Sequence, residues 1–218
     1  MRWRLLEAVS EDDLRLLLQT ARRRTFHRGE VVFHRGDPAD SMHLVSAGRF
    51  AVQVMTPLGD QATIVVRGPG ESFGEMALVG EREPRSATVE ALEQGETFCI
   101  YEEDFRRIRE QHPTVTEALL ALLANEVRMA NERLLEAFYI PVQRRVLRRL
   151  NELAEAYASE IGGQPEIPLT QERLAQLAGS TRATVNSVLR EAQKSGLLKL
   201  NRGRIRILDS EQLALRAR

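Results

Sequence analysis

Four residues between positions 73 and 89 have the types and spacing to hold a small anionic ligand: Gly74, Glu75, Arg85 and Ser86. Gly74 has no Cβ, so a ligand can come close to the backbone there. The run Met76-Ala77-Leu78 that follows reads as one helical turn. N–H groups at the start of such a turn favour an anion. Arg85, ten positions after Glu75, can grip the same anion through paired, charge-assisted hydrogen bonds. Ser86 adds a hydroxyl. Glu75 is unsuited to phosphate and suits the hydroxyl of a sugar. Together the parts describe a pocket for a ribose joined to a phosphate.

A second set begins at residue 170. Leu174, Ala175 and Leu177 line one short helix, Ala178-Gly179-Ser180 makes a turn, and Thr181 suits the N-cap of a second helix. Val185, Val188 and Leu189 form that helix's buried face, which leaves Arg182, Ala183, Thr184 and Ser187 facing outward. Asn201-Arg202-Gly203 then separates two strand-like runs, as in a hairpin.

Phe73-Gly74-Glu75 with Arg85-Ser86-Ala87-Thr88 resembles the phosphate-binding cassette of cyclic-nucleotide-binding domains. The later segment resembles the winged helix-turn-helix of the same family, the catabolite activator (cyclic AMP receptor protein) family within the CRP/FNR superfamily of transcription regulators. The resemblance implies that Glu75 takes the ribose 2′-hydroxyl and Arg85 the cyclic phosphate. Gly74, Met76, Ala77, Ser86 and Ala87 would complete the cassette. It also implies cyclic AMP as an allosteric effector, a homodimer, double-stranded DNA as partner, and RNA polymerase as a further partner. In that family the first, second and sixth positions of the second helix are arginine, glutamate and arginine, which read bases. Here Arg182 matches, for bidentate contact with guanine O6 and N7, while Ala183 and Ser187 depart, so a different operator is expected. Ala183 could touch a thymine methyl, and Asn186 or Ser187 could make a weaker polar contact. Thr170, Gln171, Thr181 and Thr184 are placed for phosphates. On the family's long helix a threonine and then a serine, from two subunits, meet the adenine. Ala130 and Asn131 stand at those positions, so Asn131 is left to serve the base.

These residues need a frame. Residues 10–24 have an amphipathic helical pattern, with Leu14, Leu17 and Leu18 on one face. Short apolar runs separated by glycine turns then predict a β-barrel or sandwich over residues 26–101. The resemblance sharpens this to an eight-stranded β-roll with the cassette between its sixth and seventh strands. Pro113 opens the longest helical segment, to about Phe138. In it Leu120, Leu123, Val127, Ala130, Leu134 and Ala137 form a heptad seam of the kind that pairs with a copy of itself. Leu119, Leu122, Leu135 and Phe138 could instead pack on the β-roll. Pro141 interrupts the helix and starts another, so residues 139–141 read as a hinge. The expected architecture is α+β: a β-roll over 1–112, a dimerisation helix over 113–138 and a winged helix-turn-helix over 139–218.

A formal net charge of zero hides an asymmetry: residues 141–218 carry 14 Lys+Arg against 8 Asp+Glu, and the first 140 carry 17 against 23. That is the expected sign for a sensor joined to a polyanion binder, although chance in a charged protein gives the same sign. The lone cysteine, Cys99, excludes a disulfide within the chain and a cluster of thiolates. His27, His34, His43 and His112 lack metal-ligand spacing, so no metal is expected. No apolar run is long enough for a signal peptide or a membrane span, which predicts a cytoplasmic protein. No nucleophile–base pair is apparent, which predicts a non-enzyme. Two alternatives stay open: a regulator of this fold whose pocket is vestigial or takes another ligand, and a module that controls a partner protein.

Overall fold

The computed structural model describes residues 3, 6–7, 9–57, 59–79, 83–161 and 164–218. The chain divides into two compact units, residues 1–60 with 64–131, and residues 61–63 with 132–218. The division falls inside the long helix.

In the first unit α1 (Glu11–Thr20) starts at Ser10, whose hydroxyl accepts from the Asp13 amide at 3.2 Å. Three acidic residues in its first turn complement the helix dipole, and Leu17 is buried. The amphipathic pattern carries the helix on to Arg24, but the chain leaves it at Ala21. Residues Arg22–Phe26 form β1, paired antiparallel with β8 (Gly95–Tyr101). Three consecutive arginines hide this strand from a pattern reading, because its exposed face is charged and only Phe26 is buried. Arg23 is satisfied across the pair by Glu96, and Arg22 lies over the Tyr101 ring.

The remaining strands of the roll are β2 (Val31–Phe33), β3 (Ser41–Ala47), β4 (Phe50–Met55), β5 (Gln61–Arg67), β6 (Ser72–Phe73) and β7 (Thr88–Ala91). Among the described residues they form two four-stranded sheets, β1-β8-β3-β6 and β2-β7-β4-β5. The gap from β6 to β7 holds a 3-10 turn, Glu75–Leu78, so the cassette lies between the sixth and seventh strands. Residues 80–82 of the cassette loop and residue 58, between β4 and β5, lie outside the described residues.

Phe26, Val45, Phe50, Phe73, Val89 and Ala91 fill the space within the roll. A second cluster joins Leu17, Met42, Leu44 and Ile100 to α2 (Glu102–Gln111) through Phe105 and Ile108, and to the start of α3 (Pro113–Tyr139) through Val115, Ala118 and Leu119. Helix α2 escapes a sequence reading because it is strongly charged, with two buried apolar residues three positions apart. Cys99 is a buried core residue.

His43 sits in the first core, stacked on Phe73 at 5.0 Å between centroids, with Nδ1 2.9 Å from Thr97 Oγ1. Burial, with the nearby Arg85 and Arg24 charges, lowers its pKa from 6.5 to about 3. The unfolded chain therefore takes up this proton near the ordinary value while the folded chain refuses it. Stability should fall as pH drops from about 6.5 towards about 3, by roughly 1.4 kcal/mol per unit from this group. Denaturant melts between pH 6.5 and 4.5 check this. His43→Gln, which keeps a partner for Thr97, should lose that part of the slope, whereas parallel curves would show that His43 is not its source.

The second unit carries the last turns of α3, then α4 (Val142–Ile161), α5 (Gln171–Ala178), α6 (Arg182–Lys194) and α7 (Ser210–Ala217). Strands β9 (Glu166–Ile167), β10 (Leu198–Asn201) and β11 (Arg204–Ile207) pair in the order β10-β11-β9. Val146, Leu150, Leu153 and Ala154 of α4 are buried, as are Leu174 and Ala175 of α5 and Val185, Val188 and Leu189 of α6. Residues 162–163 of the loop after α4 lie outside the described residues. Glu136 of α3 accepts from Arg148 at 3.0 Å and from Arg149 at 2.6 Å, and Arg145 donates to the Ala137 carbonyl at 3.1 Å. These bonds tie the end of α3 to α4 across the break at Pro141.

Leu135 and Phe138, which could have packed on the β-roll, are exposed, Phe138 at 71%. With Leu120, Val127 and Leu134 they leave a broad apolar stripe along α3. Leu119 is buried, and Leu122 and Leu123 pack against the core of the first unit.

Candidate functional site

Gly74 takes the left-handed conformation, φ 81°, at the start of the 3-10 turn. A Cβ there would stand 2.9 Å from Arg85 Nη1 and 3.1 Å from the Ser41 carbonyl oxygen. Conformation and close approach both require glycine. The Ala77 amide donates to the Gly74 carbonyl at 3.2 Å, so the turn already uses one of the N–H groups expected to face an anion.

Arg85 is fixed from both backbone and side chain. Its amide donates to Asp37 O at 2.8 Å and its carbonyl accepts from Gly36 N at 2.9 Å, which pins it to the loop between β2 and β3. The side chain is buried, with Nη1 donating to Ser41 O at 2.6 Å and Nη2 to Ser41 Oγ at 3.0 Å. Asp40 Oδ1 lies 3.5 Å from Nη2, and the guanidinium stacks 4.0 Å over the Phe33 ring. Burial lowers the Arg85 pKa, with Asp40 acting against it. Its Nε is buried and has no hydrogen-bond partner. An orphaned donor on a buried cation is a reason to expect an anion beside it.

Gly74, Glu75, Met76, Ala77, Arg85, Ser86 and Ala87 all line one cavity of about 620 Å³, a size that accommodates a nucleotide. Burial raises the Glu75 pKa; its own backbone N–H and then Arg67 pull it back, while Glu126 pushes it further up. Ser86 is exposed, its hydroxyl 3.6 Å from Met76 Sδ. Leu123, Glu126, Val127 and Ala130 bring α3 into the lining. Asn131 does not line this cavity and is exposed. Residue pattern failed to find Ser41, Arg67 and Glu126. They come from β3, β5 and α3, far from the cassette in sequence, and no local spacing marks them.

The second candidate site is the helix pair. The Thr170 hydroxyl caps α5 by accepting from Arg173 N at 3.3 Å, and Thr181 caps α6 by accepting from Thr184 N at 3.2 Å. Between them Gly179 closes α5 in the left-handed conformation, φ 57°. Arg145 donates to the Ala178 and Gly179 carbonyls at 3.3 and 3.2 Å, which steadies the turn. Arg182, Ala183 and Ser187 are exposed, while Gln171, Thr184 and Asn186 are half-buried. Arg190, also exposed, was missed by the sequence reading. It follows Arg182 and Asn186 at helical steps of four, which puts the three on one face. In the hairpin Arg204 and Arg206 pair with Glu166, while Lys199 and Arg202 are exposed. The face therefore offers donors for bases and cations for phosphates.

A β-roll that carries this cassette, followed in the chain by a winged helix-turn-helix, is the domain pairing of a DNA-binding regulator. Comparison with known proteins agrees: residues 23–112 match the cyclic nucleotide-binding domain and residues 144–216 the Crp-like helix-turn-helix domain. The CRP-like cAMP-activated global transcriptional regulator of Mycobacterium tuberculosis is 31% identical over 195 residues, covering 88% of this chain and 87% of that protein. The cyclic AMP receptor protein of Thermus thermophilus is 30% identical over 209 residues, covering 96% and 94%. Among solved structures, the c-di-GMP responsive global regulator CLP of Xanthomonas campestris superposes with a TM-score of 0.78 at 21% identity, over 92% of this chain and 100% of that one. That likeness is one of fold. The chain belongs to the CRP/FNR family of transcription regulators. It is a DNA-binding regulator with a cyclic-nucleotide-binding domain, and not an enzyme. Among the described residues no helix is long and apolar enough to cross a membrane, and no group of three or more His, Cys, Asp or Glu could hold a metal.

Proposed function

We propose that the β-roll binds cyclic AMP ahead of cyclic GMP and that the effector sets the DNA affinity of a cytoplasmic homodimer. The observation that carries this reading is the buried Arg85, with an orphaned Nε, on the same cavity wall as Gly74 and Glu75. Glu75 takes the ribose 2′-hydroxyl, and Arg85 and Ser86 take the cyclic phosphate. Asn131 serves the base from the second subunit. The exposed stripe on α3 supports pairing of two chains, since an apolar surface of this length is costly in water. RNA polymerase is the further partner through which bound DNA is read out.

Electrophoretic or fluorescence titration of duplex DNA with and without cyclic AMP tests the reading. Affinity should rise with the effector and fall steeply with salt, as counterion release requires. No binding to duplex DNA at low salt would point to a protein partner instead. The second reading, a pocket that has lost its ligand, finds support in Ser41, which already occupies both Nη groups of Arg85. It predicts DNA binding indifferent to any cyclic nucleotide.

On the DNA side, the dimer should protect a two-fold site with half-sites about one helical turn apart. Arg182→Ala should cost about 1–3 kcal/mol and relax the preference at one guanine. Uniform weakening on every sequence would show instead that Arg182 holds phosphate.

A further inference from the structure

Among the described residues, α3 gives the cavity three apolar side chains, Leu123, Val127 and Ala130, and one polar one, Glu126. Glu126 is not loose. Arg67, from β5 and also in the lining, holds its Oε2 through Nη2 at 2.5 Å, while Arg67 Nη1 lies 3.5 Å from Glu71 Oε1. The Arg67 side chain is 14% exposed, so this is a sheltered pair. Glu126 Oε1 has no hydrogen bond or ion pair among the described residues. Oε1 is thus the carboxylate oxygen that Arg67 leaves free to accept, while the Nε of Arg67 is itself buried without a hydrogen-bond partner.

If Arg85 takes the phosphate and Glu75 the ribose, the base is the part of the ligand left for the wall that α3 supplies. Leu123, Val127 and Ala130 offer its faces contact area but nothing for its polar edge. We infer that Glu126, held by Arg67, selects the base of the effector by accepting a hydrogen bond from an exocyclic amino group, the 6-amino group of adenine. This inference rests on the cyclic-nucleotide reading of the cavity. A carboxylate with both oxygens free could take guanine's N1–H and 2-amino group together. With Oε2 engaged by Arg67, one acceptor remains, which suits one amino group. Guanine placed with its 6-oxygen towards Glu126 would set two acceptors against each other, a repulsive arrangement.

The test is calorimetric titration of the full chain with three 3′,5′-cyclic monophosphates: of adenosine, of purine riboside (hydrogen in place of the 6-amino group) and of guanosine. The wild type should prefer cyclic AMP to the purine riboside compound by about tenfold or more, the usual value of a hydrogen bond to a charged group. Glu126→Ala should bring the two within about twofold. Glu126→Gln keeps the shape and offers an N–H to a 6-oxygen, so it should raise cyclic GMP relative to cyclic AMP by about tenfold. Arg67→Met releases the second oxygen and should also shift the ratio towards cyclic GMP; Arg67→Lys, which keeps a cation beside Glu126, should restore it. General loosening of the roll would weaken all three ligands alike, and an unchanged ratio in Arg67→Met would overturn the part given to Arg67. A wild type that binds all three equally, or a Glu126→Ala variant that keeps the discrimination, overturns the inference and leaves the cyclic-nucleotide reading standing. A wild type that binds none of them overturns both.

Discussion

Arg85→Ala is expected to lower affinity for cyclic AMP by at least about a hundredfold. Two charge-assisted hydrogen bonds to a phosphate, at roughly 1.5–3 kcal/mol each, account for that loss. The variant also leaves Ser41 O without its donor and removes the stack on Phe33, so some loss of stability accompanies it. Arg85→Lys separates the two effects. It keeps a charge in the same place but cannot form the planar fork, and should recover part of the binding. Gly74→Ala provides an independent route to the same wall. Its Cβ would meet Arg85 Nη1 at 2.9 Å in a backbone conformation that disfavours alanine, and binding should fall with it. If the melting temperature of Arg85→Ala falls while cyclic AMP binding does not, the arginine is a structural cation and the phosphate lies elsewhere.

Leu134→Glu should dissociate the dimer and, through that, reduce affinity for a two-fold DNA site by about two orders of magnitude. Leu134 is 53% exposed in the single chain, so the substitution leaves the chain's own core intact while placing a charge in the proposed seam. Leu123→Glu is a poorer probe. Leu123 lines the cavity and packs against the core of the first unit, so a glutamate there damages the chain itself. Sedimentation velocity at micromolar concentration, without ligand, should find the wild type dimeric and Leu134→Glu monomeric. A monomeric wild type would leave the stripe on α3 to another partner.

The parts of the molecule that the sequence made legible are those governed by local rules. Gly74 and Gly179 stand where the backbone needs a left-handed residue, and Thr181 stands where a helix needs a cap. The buried face of α6, Val185, Val188 and Leu189, follows helical spacing and could be read directly. What escaped was set by packing between distant segments. β1 is a strand because β8 accepts it as a partner, and its own residues, Arg22, Arg23 and Arg24, carry no alternation. Ser41 holds Arg85, and Arg67 and Glu126 line the cavity; the three come from separate elements that only the folded roll brings together. The helix residues after the cassette were legible as a seam but not as a boundary. Residues 132–139 are one helix with those before them and yet belong to the second unit, bound there by Glu136 and its arginines.

Calorimetric titration of the purified protein with cyclic AMP and with cyclic GMP decides whether the cavity holds a cyclic nucleotide. A saturable site should give heat with both, tighter for cyclic AMP, and that heat should be lost in Arg85→Ala. No heat with either nucleotide, from a protein that still binds duplex DNA, would contradict the cyclic-nucleotide reading and identify the cavity as one that no longer takes a cyclic phosphate.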